Sequence, residues 1–226
     1  MGRDEASEPW MSDLKTCDHR GAISHVNAKG TSGVIAMKIE KMDEGNDLDL
    51  VRLCLRGEEA GTSGLMDRYG PHLLAAGLNV LMNREDAEDV VQETFCRAFR
   101  HLDRFDGARS FRTWLFAIWY RRCMDVFRKR SRFRRFFAKF AAESRPARWT
   151  SNPPVKDEGP LPVAVLGVLS PRERTVLSLW AGDDRPLKDI AAIMNCSPGT
   201  VRVHLFRARK KARALLEGTH ERLPHR

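Results

Sequence analysis

Arg202, Val203, Phe206, Arg207 and Lys210 recur on one side of a helical pattern near the C-terminus, with Gly199 at its start. Val201, Leu205, Ala208, Ala212 and Leu215 share the other side at 100° per residue. Small apolar residues inward and Arg/Lys outward are what a helix needs to lie in the major groove of DNA. A second set lies upstream. Trp114, Ile118, Arg121 and Asp125 share one face of an aromatic-rich pattern, flanked by Arg122, Arg128 and Lys129. Flat rings interleaved with guanidinium groups suit unstacked bases, because the ring stacks while the cation follows the phosphates. Trp114 and Ile118 could instead pack on a neighbouring helix. A third set is acidic. With Val91 at zero, Phe95, Ala98 and Leu102 fall within about 40° of it, while Asp86, Asp89 and Glu93 lie opposite with Gln92 beside them. Such a ridge is either solvated, the usual fate of surface charge, or a partner surface.

Each set needs an element to hold it. The C-terminal set requires two helices and a tight turn within LKDIAAIMNCSPGTVRVHLFRARKKARALL, residues 187–216. Ile190, Ala191 and Met194 give the first helix its inner side, and Asn195-Cys196-Ser197 breaks the pattern. Ser197 can cap the second helix, and Pro198 suits its first position, where no N–H is needed. Upstream, Ser170-Pro171-Arg172-Glu173 is a capping box that opens a helix through Ala181. The aromatic set needs a helix opening after the loop Asp103–Ser110, with Leu115, Phe116, Trp119, Cys123, Val126 and Phe127 as its core face. Asn83 is placed to cap the acidic helix, whose first turns carry acids where the helix dipole favours them. Leu65, Tyr69, Leu73, Leu74, Leu78 and Leu81 form a core stripe, with Gly70-Pro71 expected to break or bend it.

The expected fold is all-α: two small helical domains joined by a flexible linker, the C-terminal one a helix-turn-helix. The expected boundaries are a disordered N-terminal extension over 1–47, a first domain over 48–135, and a linker over 136–160. A second domain follows over 161–217 and a frayed tail over 218–226. The linker reading rests on Pro146, Pro153, Pro154 and Pro160. Cys17, His19 and His25 in the extension lack a fourth ligand and fit no common zinc spacing, so no metal and no cofactor is expected.

The chain has 226 residues and a formal net charge of +9, which favours an anionic partner. Residues 121–148 hold 11 Lys/Arg against 2 Asp/Glu, and residues 161–226 hold 12 against 6, so the excess sits around the two nucleic-acid sets. Five scattered cysteines without a CxxC pair point to a reducing compartment. No apolar run reaches the roughly 18 residues of a membrane span, and no signal-peptide core opens the chain. A cytoplasmic protein without membrane insertion is expected.

Two blocks carry a family resemblance. DAEDVVQETFCRAFRHLDRFDGARSFRTWLFAIWYRRCMDVFRKR resembles the promoter-melting domain of bacterial extracytoplasmic-function (ECF) sigma factors. LSPRERTVLSLWAGDDRPLKDIAAIMNCSPGTVRVHLFRARKKARALL resembles their C-terminal promoter-binding domain, and the two follow in the family's order. The resemblance implies a non-enzymatic subunit that binds core RNA polymerase, directs it to promoters and helps melt the minus-ten region. It implies that Asp86, Asp89, Gln92 and Glu93 dock on the β′ coiled coil. His101, Phe105, Trp114, Ile118, Arg121 and Asp125 would capture the unpaired minus-ten strand. Of these, His101, Phe105, Ile118 and Arg121 match a pocket for one flipped base, although Asn is usual where Arg121 stands. Ser197, Gly199, Thr200, Arg202, Val203, Phe206, Arg207 and Lys210 would meet the minus-thirty-five element. The implied partners are core RNA polymerase, through its β′ coiled coil and β flap, promoter DNA, and a cognate anti-sigma factor, which could hold the protein at the membrane.

Two rival readings remain. A conventional helix-turn-helix regulator would bind duplex DNA without polymerase, but leaves Trp114, Ile118 and the acidic ridge without a role. A recombinase would need a nucleophile, yet Tyr69 and Tyr120 sit in no nucleophile motif and no Ser/His/Asp set or paired metal-binding carboxylates occur.

Overall fold

The computed structural model describes residues 44–140, 161–182 and 185–220. Within them the chain is helical, with no strand. The first domain comprises α1 (Glu44–Leu55), α2 (Glu59–Leu81), α3 (Arg84–Arg100), a 3-10 turn (Leu102–Arg104) and α4 (Phe111–Phe140). The second comprises α5 (Val163–Gly167), α6 (Pro171–Ala181), α7 (Leu187–Met194) and α8 (Pro198–His220). The expected extension before residue 44, its metal-ligand candidates and residues 141–160 of the expected linker lie outside the described residues.

Local chemistry explains the helix ends. The Asn83 side chain accepts the Asp86 N–H at 2.7 Å and starts α3. The Ser170 hydroxyl accepts the Glu173 N–H, and the Glu173 carboxylate accepts the Ser170 N–H, so the expected capping box is complete. Met82 and Asn195 adopt left-handed backbone at the ends of α2 and α7. Asn tolerates that geometry better than most residues, which makes the tight turn between α7 and α8 possible.

Four boundaries differ from the sequence reading, one of them at the end of α8, which runs to His220, three residues past the expected domain end at 217. Pro71 neither breaks nor divides α2, which runs through it. The missing N–H costs one backbone bond, and the buried stripe Leu65, Tyr69, Leu73 and Leu81 holds the helix on both sides. α1 begins at Glu44, ahead of the expected boundary at 48, because Asp47 is buried. Asp47 pairs with Arg68 at 2.6 Å and accepts the Tyr69 hydroxyl. α4 continues to Phe140, five residues past the expected end, since no Gly or Pro intervenes before Pro146.

The core of the first domain packs α2 against α1, α3 and α4. Phe95, Phe111, Leu115, Phe116 and Trp119 are wholly buried there. α1 crosses α2 at Gly61, where an added Cβ would stand 2.4 Å from the Cys54 nitrogen, so only glycine fits. In the second domain Val176, Leu179, Ile190, Val201 and Ala208 close the space between α6, α7 and α8. The two cores are continuous: α6 packs on α2 and α7 packs on α4.

Candidate nucleic-acid interface

The loop between the 3-10 turn and α4 builds the first site. Gly107 takes φ +72°, a left-handed geometry glycine adopts without strain. The Asp106 carboxylate accepts the Ala108 N–H at 2.9 Å, and the Ser110 hydroxyl accepts the Thr113 N–H at 3.3 Å to start α4. This folds Phe105 back over α4. Its ring centroid lies 5.5 Å from those of both Phe111 and Trp114, and Phe111 lies 5.7 Å from Trp114. The packing reading of Trp114 holds, and the ring also has a second side. One edge packs on Phe105 and Phe111, while the half-buried ring lines a cavity of about 260 Å³.

The cavity is walled by Phe105, Trp114, Ala117 and Ile118 and rimmed by Arg104, Asp106, Arg109 and Arg121. The structure thus gathers four of the six expected minus-ten residues. His101 caps the end of α3 and does not line the cavity. Asp125 lies further along α4, paired with Arg122 at 2.6 Å and with Arg128. It borders a separate groove with Arg128, Ser131, Arg132 and Arg135. Helical periodicity does not reach Arg104, which ends the 3-10 turn, or Asp106 and Arg109, which sit on the loop after it. The Asp-Gly dipeptide at 106–107 was the available turn signal.

The second site is the outer face of α8. The Ser197 hydroxyl accepts the Thr200 N–H at 3.1 Å and shares a hydrogen bond with the Thr200 hydroxyl at 2.9 Å, so both serve the helix start. Val201, Leu205 and Ala208 are buried, and Ala212 and Leu215 are half-buried. Gly199, Arg202, Arg207 and Lys210 are exposed, as are Val203 (47%) and Phe206 (69%). A two-thirds exposed phenylalanine among arginines leaves an apolar group on a basic helix face. Beneath it, Lys211 reaches across to buried Glu173 at 2.7 Å and ties α8 to α6. Burial raises the Glu173 carboxyl, but the Lys211 ion pair and the Ser170 hydrogen bonds outweigh it and hold it below the ordinary carboxylate range. Burial likewise pushes His204 down, helped by Arg172 and Arg207, so it favours the neutral form.

The acidic ridge divides. Asp89 and Glu93 are exposed, Glu93 pairing with Arg97 one turn on, and Gln92 is half-buried beside them. Asp86 is half-buried and clasped by Arg130 of α4.

Two family models match the residues that build these two sites. Sigma-70 region 2 matches residues 65–133, and Sigma-70 region 4 matches residues 163–211. RNA polymerase sigma factor CnrH of Cupriavidus metallidurans is 32% identical over 191 residues, covering 79% of this chain and 98% of its own. The chain belongs to the ECF sigma-factor family. ECF sigma factor SigW of Bacillus subtilis is 28% identical, covering 71% of this chain and 91% of its own. A solved structure of CnrH in complex with the cytosolic domain of CnrY superposes with TM-score 0.57 at 30% identity, covering 78% of this sigma factor and 99% of that chain. The sigma factor RpoE of Bartonella quintana, in complex with the anti-sigma factor NepR, shares the fold with TM-score 0.51 at 24% identity, covering 68% and 95%. Among the described residues no helix is long and apolar enough to cross a membrane.

Proposed function

We propose that this sigma factor directs core RNA polymerase to promoters with the labour divided among three surfaces. The exposed acids of α3, Asp89 and Glu93 with Gln92, dock on the polymerase β′ coiled coil. The outer face of α8 enters the major groove of the minus-thirty-five element through Arg202, Val203, Phe206, Arg207 and Lys210. The cavity of Phe105, Trp114, Ile118 and Arg121 receives a base that has left the minus-ten duplex.

The observation that carries this reading is the cavity. Its apolar floor is braced by ring-on-ring packing before any ligand arrives, and its rim is guanidinium-rich. Stacking one base on an aromatic contributes about 1–3 kcal/mol, which offsets part of the cost of unpairing it. The cations meanwhile hold the phosphates on either side. The anti-sigma complex of the Bartonella relative supports a protein antagonist of the same class for this chain.

Transcription in vitro tests the assignment. Core polymerase with this protein, on fragmented genomic DNA of its source, is expected to start RNA at discrete sites absent with core alone. Identical 5′ ends with and without the protein would overturn it.

A further inference from the structure

The end of α4 runs past the part of the chain that the family explains. Arg130 donates to the Asp86 carboxylate and, at 3.4 Å, to the Leu81 carbonyl, which ties the helix to α3 and to the end of α2. The region 2 match stops at residue 133 and the region 4 match starts at residue 163, while α4 continues to Phe140. Its last two turns or so therefore belong to neither match. They read SRFRRFFAKF, residues 131–140, without an acidic residue. Phe133 is 54% exposed and Phe136 57%, and Arg132 and Arg135 are exposed beside them. Two phenylalanines with more than half their surface in water make an apolar strip on the outside of the molecule. In the sequence Phe137 and Phe140 continue the spacing, four and seven positions after Phe133.

Rings and cations take different sides of this helix. At 100° per residue Arg128, Arg132 and Arg135 fall within about 60° of one another, and Phe133 and Phe136 lie roughly 100° round from them. The three arginines line a groove with Asp125 and Ser131, and none of the residues lining it is aromatic. Asp125 is paired with Arg122 and Arg128, so the groove stays cationic. The base-sized cavity is built otherwise, with Phe105 and Trp114 sharing one concave wall with Arg104, Arg109 and Arg121. Interleaving of that kind suits bases and phosphates together. Segregation onto adjoining faces suits a lipid surface, where rings enter the acyl boundary and guanidinium groups meet headgroup phosphates. Nucleic acid laid along the groove would use the arginines and leave Phe133 and Phe136 idle, whereas an anionic bilayer uses both. Among the described residues no helix is long and apolar enough to cross a membrane, so the fit is to lying on one.

We propose that the end of α4, from Arg128 to Phe140, is a peripheral binding element for anionic phospholipid. Phe133 and Phe136 supply the apolar contact, and Arg128, Arg132 and Arg135 supply the charge that selects anionic over neutral headgroups. The chain thus carries a lipid address of its own, separate from any protein partner. The proposal stands on this surface and does not draw on the promoter-reading roles.

Flotation of the full-length chain tests it, with vesicles of phosphatidylcholine alone and of phosphatidylcholine mixed with phosphatidylglycerol. At low salt the mixed vesicles are expected to carry the protein up the gradient and the neutral ones to leave it behind. Phe133→Ser with Phe136→Ser should weaken binding to the mixed vesicles on the order of tenfold. Phe133→Leu with Phe136→Leu keeps the apolar surface but not the rings, and should float like wild type. Arg132→Gln with Arg135→Gln should weaken binding and flatten its salt dependence, and decides the matter if the serine pair loses helicity. Equal recovery of wild type on neutral and mixed vesicles would overturn the proposal, as would a serine pair that floats like wild type. A thymidine oligonucleotide probes the nucleic-acid rival. Binding to it that the serine and leucine pairs both lose, with the leucine pair also losing vesicle binding, would assign the rings to base stacking and overturn the lipid reading. Directed initiation by wild type, measured without vesicles, scores the sigma assignment separately.

Discussion

Arg130 of α4 clasps the carboxylate of Asp86 on α3, and the Asp86 N–H is held by Asn83 at the start of the same helix. Each side chain is about one-third exposed, so the pair is a partly buried brace between two helices. Asp86→Ala is therefore expected to lower stability by about 1 kcal/mol, a fall of a few degrees in melting temperature for a protein of this size. It should leave affinity for core polymerase near wild type. Asp89→Ala and Glu93→Ala should do the reverse. Melting curves beside a core-binding titration decide it. A lost core affinity for Asp86→Ala at unchanged melting temperature would return Asp86 to the docking ridge.

Periodicity made much of this legible. The inward stripe of α8 and the core face of α4 follow from 100° per residue, and the capping box at Ser170 from four consecutive letters. What periodicity hid was any relation that crosses between elements. Asp86 lies on the outer side of α3 by angle alone. A helix wheel has no term for Arg130, forty-four residues later, which covers it. Arg104 ends a 3-10 turn and Asp106 and Arg109 lie on the loop after it, where no wheel applies, and the loop residues reach the cavity because Asp106 and Gly107 turn the chain. Asn79 reads as one polar residue in an apolar stretch. Its burial makes sense with its partners from the second domain, the Ser178 hydroxyl that accepts its amide at 3.0 Å and the Leu161 N–H that donates to its carbonyl at 3.3 Å.

The Glu173–Lys211 pair gives the second domain a pH dependence. Its carboxyl lies below its ordinary value in the folded state, so the unfolded chain binds the proton more tightly. Stability from this group is complete above the unfolded pKa, near 4.3, and is lost as pH falls through the folded value. Glu173→Gln keeps some of the capping geometry but removes the charge. It should lower the melting temperature at pH 7 and flatten its fall between pH 5 and 3, relative to wild type. Parallel curves for the two proteins would mean the ion pair contributes nothing.

On α8, Arg207 is exposed and points away from the buried Val201–Leu205–Ala208 stripe. Arg207→Ala is expected to cost about 1–3 kcal/mol in binding to the upstream duplex if it reads a base edge. If it contacts phosphate alone, the loss is uniform across sequences and the salt dependence shrinks by about one ion. Core binding should be unchanged in either case. Anisotropy titrations at two salt concentrations separate the outcomes, and equal loss of core binding would refute the division of roles.

Trp114 tests capture of unpaired bases. Its ring is held by Phe105 and Phe111, so Trp114→Phe retains the packing while shrinking the stacking surface. Open-complex formation, followed by permanganate reactivity of exposed thymines, should fall modestly for Trp114→Phe. It should fall on the order of tenfold or more for Trp114→Ala, in line with about 1–3 kcal/mol per stacked base. Unchanged reactivity in both would leave the ring a core residue only.

Arg121 bears on which base enters the cavity. Among the described residues no carboxylate pairs with it, and a guanidinium only donates hydrogen bonds. A donor-only side chain at this point of the rim favours a base edge made of acceptors, and guanine offers two in register, O6 and N7. Asparagine, usual at this position, both donates and accepts. Arg121→Asn should therefore relax the preference, with guanine at the captured position losing most. Initiation from promoters varied at that one base should shift by roughly 10- to 100-fold, matching about 1–3 kcal/mol for a bidentate contact. Upstream duplex binding should stay constant, because α8 is untouched. An identical base preference in wild type and Arg121→Asn would place selection elsewhere on the rim, with Arg104 and Arg109 the remaining cations.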